Sequence, residues 1–101
     1  MATSKQFKDF VLEQLRELND IDCRQMMGEY ILYYKGVLFG GIYDNRLLIK
    51  KTESTNKYSL TDAIPYKGAK PMSMVENVDD ADYLSEIIKA VYKDLIKNKK
   101  A

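Results

Sequence analysis

Charge, a turn and a restricted backbone coincide in two short stretches. Arg24, Glu29 and Tyr30 bracket Gly28, and Lys67 and Lys70 bracket Gly68 between Pro65 and Pro71. An ion pair between Arg24 and Glu29 across the Gly28 turn would brace its shape, and polar groups beside a turn are equally well placed to meet a partner. A loop that lets Gly68 take a positive φ could bring two lysines up to an anion, although the spacing is not that of a phosphate-binding P-loop. Eight tyrosines, Tyr34 among them, together with Arg46, Lys50 and Lys51, add a third possibility. Bases stack on aromatic rings above a positive groove, but no RNP signature accompanies them.

Other chemistry is limited by what the chain lacks. Histidine is absent, which removes the commonest general base and metal ligand and every Ser-His or Cys-His nucleophile pair. The single cysteine, Cys23, has no partner for an internal disulfide or a thiolate zinc cluster and reads as a structural thiol in a reducing compartment. Glu76, Asp79, Asp80 and Asp82 lack EF-hand spacing and its glycine, and read as the acidic start of a helix. These residues predict no catalytic site, no cofactor and no metal. The candidate interaction residues are Arg24, Glu29, Tyr30, Tyr34, Lys67 and Lys70.

A chain of 101 residues is one domain's worth, 1–101, and 46% hydrophobic with 31% charged residues is a globular composition rather than a disordered one. Sixteen basic residues nearly balance fifteen acidic ones, so no overall positive field gathers nucleic acid or an anionic membrane. The N-terminus becomes amphipathic at once, unlike a signal peptide, and no apolar run approaches the roughly 20 residues that span a bilayer. The expected location is the cytoplasm.

Periodicity supplies the elements that must position the candidates. Thr3 and Gln6 have capping-box spacing, and Phe7, Phe10, Val11, Leu15 and Leu18 recur at helical intervals, predicting a helix over about 4–18. An extended piece over about 21–27 precedes Gly28. Three apolar runs, 30–34, 37–43 and 46–50, are separated by Lys35-Gly36 and Asp44-Asn45 and read as two consecutive hairpins. A loop then leads into a short helix near 57–63, stopped by Pro65, and 72–75 reads as a strand at the sheet edge. Asp79 or Asp80 caps a last helix with Leu84, Ile87, Ile88, Val91, Tyr92 and Leu95 on its apolar stripe. The result is an α+β fold, an antiparallel β-meander between an N-terminal and a C-terminal helix.

With two-residue loops, strict alternation puts Ile31, Tyr33, Leu38, Ile42, Leu47 and Ile49 on the core face. It leaves Tyr30, Leu32, Tyr34, Val37, Phe39, Tyr43, Arg46, Leu48 and Lys50 on a second, aromatic face that something must cover. A three-residue loop at Tyr34-Lys35-Gly36 would exchange the faces of the first strand.

The segments Arg24-Gln25-Met26-Met27-Gly28-Glu29-Tyr30 and Pro65-Tyr66-Lys67-Gly68-Ala69-Lys70-Pro71-Met72 resemble the two motifs of the TfoX (Sxy) N-terminal domain family. These are Arg-x-Met-Phe-Gly-(Gly/Glu)-Tyr and Pro-Tyr-x-Gly-Ala-Lys-Pro. The resemblance covers nearly the whole chain. It departs where Met27 stands for the usual aromatic and Val78 for a frequent proline. It implies a fold similar to the secretion-chaperone-like class, with helices on one side of an antiparallel sheet. The best-known members are two-domain competence regulators, and a stand-alone domain of the family carries no established biochemical activity. The expected function is therefore a non-enzymatic regulatory or protein-interaction domain, with an unidentified protein partner and a homodimer as possibilities. The alternatives are a nucleic-acid-binding accessory domain and a pocket near Arg24 and Lys70 completed by another chain.

Overall fold

Three two-residue turns organise the sheet of this computed structural model, which describes residues 3–99. β1 (Ile21–Met26), β2 (Glu29–Tyr34), β3 (Val37–Tyr43) and β4 (Arg46–Ile49) are joined by Met27-Gly28, Lys35-Gly36 and Asp44-Asn45. All six turn residues have positive φ, from 51° at Asp44 to 84° at Gly28. This is the type I′ geometry whose twist matches that of the flanking strands. β5 (Thr61–Ala63) and β6 (Met72–Val75) complete an antiparallel sheet of order β1-β2-β3-β4-β6-β5. The strand at 72–75 is therefore internal, and β5 takes the edge.

The loop lengths agree with the sequence, and Ile42, Leu47 and Ile49 lie in the core as expected, but the faces of β2 and the start of β3 are exchanged because β3 carries a bulge. Tyr33 pairs with Leu38 while Leu32 pairs with Gly40, so Phe39 is an extra residue and the alternation shifts there. The helix-covered face consequently holds Leu32 and Tyr34 of β2, Phe39 and Ile42 of β3, and Leu47 and Ile49 of β4. Ile31, Tyr33 and Leu38, expected in the core, lie on the opposite face instead. Of the face that needed a cover, Leu32, Tyr34 and Phe39 belong to the core that the chain's own helices close, whereas Tyr43, Arg46, Leu48 and Lys50 lie on the opposite face.

Those helices are α1 (Lys5–Gln14) and α3 (Ala81–Lys99). Ser4, not Thr3, caps α1, its Oγ accepting from the Phe7 amide at 3.1 Å. The helix ends four residues earlier than its periodicity predicts. Tight i,i+3 bonds from Arg16 N–H to the Glu13 carbonyl and from Leu18 N–H to the Leu15 carbonyl replace it, and this tightening turns Leu18 into the core. Asp80 caps α3, its Oδ1 accepting from the Tyr83 amide at 3.1 Å. Leu84, Ile87, Ile88 and Val91 are fully buried, as the helical period requires. Lys99 ends α3, but its side chain and Lys100 lie outside what the structure describes.

The short helix also differs from expectation. α2 spans Glu53–Lys57, and 61–63 is strand β5. The Thr52 amide donates to Thr55 Oγ1 at 2.9 Å, and the Ser54 amide donates to Asp94 of α3 at 3.0 Å. A carboxylate forty residues away thus satisfies one of the open amides at the start of α2 and pins it to α3. Hydrogen bonding from the Ser54 side chain first, then from Thr52 and this amide, holds the Asp94 carboxyl below its ordinary range.

Candidate functional site

The Gly28 turn is braced, but not by the expected ion pair. Glu29 Oε1 accepts from Thr3 N–H at 3.0 Å and from Thr3 Oγ1 at 2.6 Å, and its carboxylate also accepts from the Asp44 amide at 3.2 Å. Thr3 Oγ1 accepts from the Asn45 amide at 3.2 Å. Glu29 therefore staples the N-terminal segment to two turns at one end of the sheet. Arg24 leans the other way, 3.4 Å from Asp22 and 5.3 Å from the centre of the Tyr33 ring. The hairpin register places Arg24 opposite Ile31 and Asp22 opposite Tyr33, which directs the guanidinium away from the turn. Glu29→Ala removes a charged acceptor from two amides and should cost about 2 kcal/mol, seen as a lower thermal unfolding midpoint. An unchanged midpoint would show the staple to be idle.

The aromatic candidates pack into or against the core. Tyr34 is 6% exposed and meets Tyr92 edge to face, with ring centres 5.0 Å apart. Its ring is out of a partner's reach. Tyr30 packs at the margin of the core under Lys8, whose ammonium lies 5.4 Å from the ring centre. Cys23 is half-buried beside the core, and burial pushes its thiol up, away from the reactive thiolate. Glu17 hydrogen-bonds to Asp82, which pushes the Glu17 carboxyl up. Among the described residues, no three carboxylates or thiols converge as metal ligands would.

The second motif builds a cleft. Residues 64–71 connect β5 to β6 and fold back over the sheet face that the helices leave bare. Arg46 ties the segment down, donating through Nη2 to the Ile64 carbonyl at 3.1 Å and through Nε to the Tyr43 carbonyl at 3.2 Å. Pro65 is buried. The Ala69 amide closes a turn onto the Tyr66 carbonyl at 3.0 Å, with Gly68 at φ 87° in the position that favours glycine. Between this loop and β3–β4 lies an open cleft of about 490 Å³.

Leu38, Tyr43 and Met72 line the cleft on the sheet side, and Pro65, Tyr66 and Pro71 on the loop side. Tyr43 occupies the space where Gly41 would carry a side chain, and its ring centre lies 6.2 Å from that of Tyr66. Burial pushes the Tyr43 hydroxyl up, so it remains a neutral donor. Lys50, Lys51 and Lys70 also line the cleft, and Lys51 pairs with Asp62 at 2.9 Å. An apolar, aromatic trough beside lysines can hold an anionic group with an apolar or ring-shaped anchor.

Lys70 is thus the candidate that the cleft takes in, while Lys67 stands exposed on the same loop. Arg24 does not join Lys70 in lining this cleft: it stands over Tyr33. Tyr43, Tyr66 and Lys50 were absent from the sequence-derived set. Tyr66 lay within the second motif, and alternation had put Tyr43 and Lys50 on one face.

An uncharacterized 12.7 kDa protein in the trpE 5'region of Spirochaeta aurantia is 32% identical over 80 residues, covering 77% of this chain and 70% of that protein. The TfoX N-terminal domain family matches residues 13–94, which include both motifs, the whole sheet and most of α3. By its sequence, this chain belongs to the TfoX N-terminal domain family.

Proposed function

We propose that this chain is a non-enzymatic regulatory domain of the cytoplasm that acts by protein contact, taking an acidic segment with an aromatic or aliphatic anchor into the cleft beneath the 64–71 loop. One observation carries the reading: Lys50 and Lys70 line a trough that also presents Tyr43, Tyr66 and Met72. The rings supply area at little entropic cost, and the lysines select the sign of the ligand. The family is not known as one of enzymes, which favours recognition over catalysis.

A labelled peptide with acidic residues around one phenylalanine is the probe, read by fluorescence anisotropy. Lys50→Glu/Lys70→Glu should weaken its binding about tenfold or more, equivalent to about 1.4 kcal/mol, and leave thermal unfolding unchanged because both side chains are exposed. No binding by the unmodified chain, or equal binding by the double variant, would sink the reading. The same rings and lysines could stack and neutralise a single strand. Tight binding of an oligothymidine, falling steeply with salt, would move the function to that second reading.

A further inference from the structure

The two edges of the sheet differ. β5 is three residues long, whereas β1 runs for six and pairs with β2 in unbroken register. Met26 opposite Glu29 closes a two-residue hairpin, so the N–H and C=O groups of Ile21, Cys23 and Gln25 point outward. The bond from Lys35 N–H to the Asp20 carbonyl, on the inner side, agrees with that phase. Exposed edges are ordinarily blunted by charged side chains, lysine above all, by proline, a bulge or a covering element. Residues 21–26 contain no lysine, proline or bulge, their two charges, Asp22 and Arg24, are of opposite sign, and among the described residues no strand pairs with the outer edge of β1.

We propose that β1 pairs antiparallel with β1 of a second copy of this chain, with the two Cys23 residues opposite each other on a twofold axis. The charges select this register. Asp22 and Arg24 share one face of the strand, with side chains 58% and 70% exposed. When Cys23 faces Cys23, Asp22 of each copy lies opposite Arg24 of the other. Both contacts fall at non-hydrogen-bonded positions, where facing Cα atoms are only about 4.5 Å apart. Sliding one way to the next register that keeps the outward groups matched sets Asp22 against Asp22. Sliding the other way sets Arg24 against Arg24. Opposite charges directly across a ladder stabilise it and like charges oppose it. Asp22 and Arg24 already lie 3.4 Å apart within one chain, so the pairing closes an alternating ring of four charges. The interface is isologous and joins the two sheets edge to edge, with the helices of both copies on one face.

Sedimentation velocity on the full chain should give a concentration-dependent dimer. Copper-phenanthroline oxidation should link it through Cys23, because hydrogen-bonded facing Cα atoms lie about 5.5 Å apart, within disulfide reach. Asp22→Arg should raise the dimer dissociation constant about tenfold or more and suppress the cross-link. The charge swap Asp22→Arg/Arg24→Asp should restore both. Thermal unfolding of each variant at low concentration checks that the monomer fold is intact. A chain that stays monomeric, a dimer indifferent to Asp22→Arg, or a swap that restores nothing would overturn the proposal.

Discussion

Gly40→Ala is expected to destabilise the protein by about 3 kcal/mol or more, at the upper end of overpacking costs, and to lower its thermal midpoint by roughly 15 °C. A Cβ at this position would lie 2.2 Å from the Leu48 carbonyl oxygen and 2.8 Å from the Ile49 Cα. Both are backbone atoms of the paired strand, so no rotamer change can relieve the contact. β3 and β4 must separate at the centre of the sheet. The substitution also stiffens the unfolded chain, which offsets only about 0.4 to 1 kcal/mol. Gly36→Asn is the matched control. A Cβ at Gly36 meets nothing within 4 Å, and asparagine tolerates the positive φ of this turn, so its cost should be small. Calorimetry of the two variants side by side decides the matter. Equal midpoints would mean that β3 and β4 can part without loss.

Phe39→Ala comes next, with an expected loss of about 4 kcal/mol. Phe39 is fully buried, heads the largest buried side chains and is the extra residue of the bulge. Truncation leaves a cavity in the core cluster between the helices and the sheet. The bulge fixes the backbone on either side and limits collapse into that space. Because a domain of this size is stable by only about 5 to 15 kcal/mol, a large fraction of its stability should go. Denaturant unfolding should give a lower midpoint with an unchanged slope, the mark of a weaker but equally compact fold. A loss below about 1 kcal/mol would mean that the core refills the site, contrary to its close packing.

Legibility followed the range of the interactions. α3 could be read from its stripe and its Asp80 cap, both of which are local. The turns at Gly28, Gly36 and Asp44-Asn45 could be read because their residues tolerate positive φ. The faces of β2 were misassigned because a bulge in the neighbouring strand, not a longer loop, shifted the alternation, and Phe39 looks like any other strand residue. α2 was displaced because the group that holds its first turn is Asp94, on another helix. Glu29 could be picked out as important but not partnered, since Thr3 reaches it only once the N-terminal segment crosses the end of the sheet. Lys70 was visible from its motif. Its association with Lys50 and Tyr43 depended on the loop folding back, which alternation along one strand does not encode.

On the proposed function, the 64–71 loop separates recognition from architecture. The Tyr66–Lys70 stretch makes one turn of its own and reaches the rest of the molecule through the Tyr66 ring on Tyr43, with Pro65 and the Arg46 bond to the Ile64 carbonyl holding its near end. A side chain at Gly68 would meet nothing within 4 Å, so only its φ of 87° holds that position to glycine. Changes of sequence or length there are borne by the loop and not by β3, β4 or the helix-covered core. On the proposed function, what the cleft accepts can therefore be retuned at its rim by substitutions that leave the sheet beneath intact.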